Sequence, residues 1–188
     1  MMFAITGITV HVGGALAKTL IAAGHDVRAV VRNEPKGQPW VEQGAELALA
    51  AMNDAEGLTK AFRGAETVFL LLPPVFDPAG DMAEPRANIV AIKQALLASR
   101  PQHVVCLSTI GAQATRPNLL NALGLMEKEL ADICDSTVFL RAGWFMENYL
   151  WDINSAKEPA LFTAISSRWN ALFLWLQPLI LALLPRSC

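Results

Sequence analysis

Short apolar runs recur along the chain, separated by stretches whose apolar residues fall at helical spacing. Met2–Thr6 is apolar without alternation, Gly7 interrupts it, and from Gly13 to Ala23 the pattern is helical. Gly24 ends that helix, and His25–Arg32 is a valine-rich strand. A short helix is predicted around Trp40–Gln43, then a weak third strand at Glu46–Ala50. Asp54 stands where its carboxylate can cap a helix over Ala55–Phe62, and Gly64 closes that helix. Thr67–Leu72 is a fourth strand, stopped by Pro73 and Pro74. A longer helix over Ala83–Ser99, a strand at Val104–Ser108, a helix over Leu119–Ile133 and a strand at Thr137–Arg141 complete the series. Strands apolar on both faces that alternate with helices predict a mainly parallel α/β sheet covered on both sides. Right-handed crossovers make it doubly wound. The breaker-rich stretch Pro73–Pro85 reads as a loop at a strand's carboxyl end, the edge where ligands lie in such sheets.

Composition narrows the function classes. A chain of 188 residues can bury a sizeable core, and 53% hydrophobic against 17% charged residues excludes a disordered interaction chain. With 15 basic and 17 acidic side chains, a net charge of −2 and an isoelectric point near 5.9, no basic stripe suggests nucleic acid. Cys106, Cys134 and Cys188 are odd in number and lack metal-ligand spacing, so neither disulfides nor zinc are expected. A cytoplasmic location fits that cysteine usage, and no basic n-region marks the first residues as a secretory signal. The mean hydropathy of +0.35 is high for a soluble domain, and the excess is concentrated beyond Ser166.

The first strand–turn–helix carries the candidate chemistry. Gly7 and Gly13 are six positions apart, as in turns that aim backbone N–H groups and a helix's positive end at a pyrophosphate. The middle position of such a turn is Val10, whose branched side chain would crowd a phosphate and disfavour a positive φ. A structural turn that binds nothing is the alternative. Arg32 ends the second strand where an acidic residue would hold the ribose of NAD. An arginine there suits the 2′-phosphate of NADP, with Lys36 in reach to reinforce it. Solvated basic residues at a strand end would look the same.

ITGITVHVGGALAKTLIAAGHDVRAVVRN, FRGAETVFLLLPP, VVCLSTIGA and LRAGWFMENYL together resemble the NmrA-like family, from about Met2 to Asn154 in unbroken order. These are atypical short-chain dehydrogenase/reductases with a Rossmann-type NAD(P)-binding domain. Within them, EKELADICDSTVFLRAGWFMENYL is most similar to the NAD(P)H:quinone oxidoreductase branch. The resemblance implies a phosphate loop of Gly7, Thr9, Val10, His11, Val12 and Gly13, with Arg32 at the 2′-phosphate. It puts Leu71, Leu72 and Pro73 beside the adenosine and ribose, and Ser108 and Thr109 near the nicotinamide. Gly143, Trp144, Phe145 and Asn148 would wall the substrate pocket. Three positions depart from the pattern: Val10 for a glycine, Ala51 for an aspartate near the adenine, and Ala142 for a proline. The first two would weaken cofactor binding.

Hydroxyl–carbonyl hydride transfer in short-chain dehydrogenases uses a Tyr-xxx-Lys pair on the helix after strand five. Here Lys128 has Gly124 four residues before it, and the sole tyrosine, Tyr149, lies beyond the sixth strand. Quinone reduction asks less, because an electron-poor quinone accepts hydride once stacked on the nicotinamide and the protein chiefly positions it. The expected function is therefore hydride transfer from NADPH to a quinone or similar electron-poor carbonyl, with NADP(H) preferred over NAD(H). The alternative is a non-catalytic NAD(P)-sensing regulator acting on a protein partner, and a third reading is a degraded domain with neither property. His11 reads as an exposed loop histidine or a phosphate donor, His25 and His103 as structural, Cys106 as a small buried hydrophobe. Trp144 and Phe145 would stack on a planar substrate or simply pack their own loop.

The expected organisation is a cofactor domain over 1–154 and a divergent hydrophobic tail over 155–188, the substrate region being truncated or divergent. No charge lies between Arg168 and Arg186. That barely reaches the roughly 17 residues a spanning helix needs. Asn170, Gln177 and Pro178 make it a poor span, so a buried or oligomer-forming segment is favoured over membrane association, and a homodimer is allowed for.

Overall fold

A computed structural model describes residues 1–75, 82–116, 120–134, 136–143 and 145. The tail expected over 155–188, and the domain boundary after Asn154, lie outside the described residues. The first compact unit, Met1–Arg141, is built as β1 (Met2–Thr6), α1 (His11–Ala22), β2 (Asp26–Val31), α2 (Glu34–Val41), β3 (Glu46–Leu49), α3 (Ala55–Phe62), β4 (Thr67–Leu71), α4 (Ala83–Ser99), β5 (His103–Thr109) and α5 (Asn121–Leu130), reaching β6 (Ser136–Ala142) at its end.

The six strands lie in the order β3-β2-β1-β4-β5-β6. The β1–β2, β1–β4, β2–β3 and β4–β5 pairs are all parallel, with Thr6 opposite Val30, Ile5 opposite Phe69, and Leu71 opposite Leu107 near their carboxyl ends. From β1 the chain winds outward to β3, then returns to place β4 on the other side of β1. The topological switch point is therefore between β1 and β4, as the doubly wound expectation requires.

Strand alternation divides the core. Ala4, Val68, Leu70, Val104 and Cys106 share one apolar cluster with Leu58 and Phe62 of α3, Ile89 and Ile92 of α4, and Met126 and Leu130 of α5. Phe3, Ile5 and Phe69 are equally buried and by strand alternation face the other side of the sheet, and Leu16 and Leu20 of α1 are buried as well. Each fully buried Leu, Ile or Phe contributes about 1.5–3 kcal/mol, so both faces of the sheet are anchored. Asp54 caps α3 as expected, its carboxylate accepting from the Gly57 amide at 2.9 Å. Among the described residues, no helix is long and apolar enough to cross a membrane.

Several strands begin or end one residue from the sequence expectation, and three helices differ by more. α1 begins at His11, before Gly13, so His11 and Val12 are first-turn helix and His11 is not a loop residue. α2 occupies Glu34–Val41, ahead of the expected Trp40–Gln43, although it contains Pro39. Pro35 suits its first turn because it fixes φ and no N–H is needed there. Pro39 costs the Pro35 carbonyl its helical donor, but the helix buries Trp40 against Gly14 and seats Gly37 on Leu47. α5 is shorter than expected and ends at Leu130.

Candidate cofactor site

At the end of β1 the backbone turns through Gly7, whose φ of +64° belongs to the left-handed region. A Cβ there would stand 2.9 Å from Cβ of Leu71, so β4 closes directly on the turn. A Cβ on Gly13 would lie 2.3 Å from the Gly7 carbonyl oxygen, which lets α1 rest on the turn only because residue 13 has no side chain. Val10 N–H donates to the Gly7 carbonyl at 3.1 Å, and Gly14 N–H to the Val10 carbonyl at 2.8 Å. Val10 is the N-cap of α1, in extended conformation with φ −112° and ψ 168°. The expectation that this position demands a positive φ is thus corrected: the left-handed turn is made by Gly7, and valine is unstrained at position 10. Its side chain is 46% exposed at the carboxyl edge of the sheet.

The start of α1 is electrostatically undressed. Its N-cap makes no side-chain hydrogen bond and its first turn holds no acidic residue. The first amides of a helix have no carbonyl partner within it, and they carry the positive end of the helix dipole. Here they lie beside the switch point. A backbone cradle that a Cβ would fill, next to unmatched donors, fits a pyrophosphate.

Parallel strands bring the other candidates to the same edge. Arg32 directly follows β2 and Lys36 lies in the first turn of α2; both are exposed, and neither is ion-paired among the described residues. Leu72 is buried, while Leu71 and Pro73 are half-buried at the end of β4. Thr9 and His11 are exposed and Val12 half-buried. Ala51, which lacks the carboxylate of its expected counterpart, is half-buried just beyond β3. Ser108 and Thr109 end β5, one strand beyond β4. Trp144 and Asn148 lie outside the described residues; Phe145 is half-buried.

Sequence reasoning passed over Thr6, Glu127 and Arg141. Buried Thr6 stitches the switch point: its Oγ1 donates to the Phe69 carbonyl at 3.2 Å and accepts from the Leu71 amide at 2.9 Å. A hydroxyl ending an otherwise apolar strand was the available signal. On α5, the Glu127 carboxylate accepts from Ser108 Oγ, from Arg141 Nε at 2.9 Å and from Arg141 Nη2 at 2.6 Å. The Arg141 guanidinium, helped by the Ser108 hydroxyl, holds the Glu127 carboxyl below its ordinary range against the opposing effect of burial. No sequence spacing announces a pair that joins a helix to a strand. One turn earlier, a Cβ on Gly124 would lie 2.1 Å from the Ala112 carbonyl oxygen, so position 124 has no room for a tyrosine unless the loop moves. Burial pushes the Cys106 thiol up to about 12, which removes it as a nucleophile. His25 packs its ring edge-on to Phe3 with centroids 5.3 Å apart, a structural role.

A family model described as NAD(P)H-binding matches residues 7–141. Quinone oxidoreductase 2 of Escherichia coli (strain K12) is 31% identical over 165 residues, covering 86% of this chain and 55% of that protein. The NAD(P)H azoreductase of Xenophilus azovorans is 26% identical over 162 residues, covering 86% and 54%. Among solved structures, the NADPH-dependent quinone oxidoreductase of Escherichia coli complexed with NADPH superposes with a TM-score of 0.68 at 26% identity, over 82% of this chain and 53% of that one. The triphenylmethane reductase of Citrobacter sp. complexed with NADP(H) gives 0.71 at 21% identity over 84% and 55%, a likeness of fold. The chain spans about half the length of these relatives.

Proposed function

The chain belongs to the NAD(P)H-binding family, in keeping with its NmrA-like resemblance, and from that premise we propose that it is an oxidoreductase passing hydride from NADPH to a quinone or similar electron-poor carbonyl. The observation that carries this reading is the unstoppered start of α1 on the Gly7–Gly13 cradle at the β1–β4 switch point. The first-turn amides after Val10 would hold the pyrophosphate, with Thr9 and His11 at its rim. Arg32 and Lys36 would meet the 2′-phosphate, and Leu71, Leu72 and Pro73 would line the adenosine side. Ser108 and Thr109 would border the nicotinamide, with Trp144, Phe145 and Asn148 on the acceptor side. The bound cofactor supplies the hydride; the chain's own residues orient it and keep the ring against its acceptor. Residues 1–154 would form this cofactor domain, with 155–188 as a separate apolar segment.

The test is titration of the full chain with NADPH and NADH, followed by stopped-flow oxidation of NADPH with a small benzoquinone. Tight NADPH binding and turnover are expected. Replacing Arg32 with alanine should weaken NADPH binding about tenfold or more, the scale of a lost hydrogen bond to a charged group, and leave NADH unchanged. Equal losses for both nucleotides would remove Arg32 from the 2′-phosphate.

The second reading, a regulator that senses the nucleotide without turnover, draws on the blocked position 124 and the Ser108 hydroxyl already donated to Glu127, so that neither position offers a proton to an acceptor. It predicts NADPH binding with no acceptor reduced.

A further inference from the structure

We propose that Glu127 is a positioning residue for the nicotinamide end of the site, acting through the Ser108 hydroxyl; the inference rests on the oxidoreductase reading above. The Glu127 carboxylate gathers three hydrogen bonds from two neighbouring strands, one from Ser108 Oγ and two from Arg141. The Ser108 proton is thereby committed to the carboxylate. Ser108 is buried at the end of β5, and what its hydroxyl retains is an oxygen lone pair, which recognises an N–H donor such as a carboxamide and gives up no proton. Arg141 grips Glu127 through both of its forked donors, so the carboxylate is fixed in direction as well as charge. The close approach of Gly124 to the Ala112 carbonyl fixes α5 against the segment that follows β5, and with it the reach from Glu127 to Ser108. Stability alone does not require this arrangement, since apolar residues of similar volume commonly replace a partly buried ion pair without loss.

A double-mutant cycle with Ser108→Ala and Glu127→Gln in the full chain tests the proposal. Each single variant should lower kcat for NADPH-dependent benzoquinone reduction about tenfold, with the quinone KM within about twofold of wild type. The double variant should fall no further than the worse single one, because both changes remove one device. Losses that multiply in the double variant would overturn the proposal. So would a Glu127→Gln protein that melts lower but keeps its kcat, which is the signature of a purely structural pair. If the wild type binds NADPH but reduces no quinone, the oxidoreductase reading falls alone. The cycle is then read in NADPH Kd, where non-additivity supports the positioning role and multiplied losses reject it. A wild type that binds no NADPH overturns both.

Discussion

At Gly13 one methyl group decides whether the helix can sit on the turn. A Cβ 2.3 Å from the Gly7 carbonyl has only backbone to push against, so the strain cannot be relieved by a rotamer change. Gly13→Ala should cost about 1–3 kcal/mol of stability, read by urea denaturation, and should abolish NADPH binding. Gly13 was legible in the sequence as the last member of a glycine turn. Val10 is legible in the sequence only as a departure from the glycine pattern, and its backbone conformation is not legible there at all. Its backbone is extended, so the remaining obstacle is side-chain bulk beside the first amides of α1. Val10→Gly should therefore tighten NADPH binding on the order of fivefold, equivalent to about 1 kcal/mol. An unchanged Kd would show that the valine lies clear of the phosphate.

Between elements, the β1–β4 ladder is extended at the switch point by a side chain. The register of β1 and β4 ends at Ile5 and Phe69, where Thr6 bonds both the Phe69 carbonyl and the Leu71 amide. Thr6→Val keeps the volume and removes both bonds, leaving two backbone groups poorly matched in a buried place. The expected cost is about 1–3 kcal/mol, with weaker NADPH binding because Leu71 and the Gly7 turn lose their common anchor. Unfolding and NADPH titration of that variant check the two effects together. Most elements were legible because apolar period and punctuation agree in them: α3, with Asp54 before it and Gly64 after it, lies where the sequence put it. α2 is not legible because its prolines argue against a helix locally, whereas the burial of Trp40 against Gly14 is a long-range gain invisible along the chain.

On the scale of the whole molecule, pH tests how the last strands are tied together. Glu127 has a folded-state pKa below its ordinary value, so its stabilising contribution is complete above the ordinary carboxylate range, about 4.3, and is lost as pH falls through the lower folded value. Wild-type Tm should drop below about pH 4 more steeply than that of Glu127→Gln, measured by thermal unfolding between about pH 7 and pH 3. Parallel curves would show that other carboxylates govern the acid limb. By itself the sequence determined the alternation of strand and helix, the doubly wound parallel sheet, and a glycine turn followed by an arginine at the end of the next strand. These are set by periodicity and by residue types whose backbone limits are local. The tertiary structure alone decided that Gly7 meets Leu71, that Val10 is unstrained, and that Ser108 and Arg141 converge on Glu127. Each of these depends on segments brought together by a sheet whose neighbouring strands are far apart in sequence. The physical reason is that hydrophobic period fixes which face of an element is buried, but the partner it meets there is fixed only when the layers close.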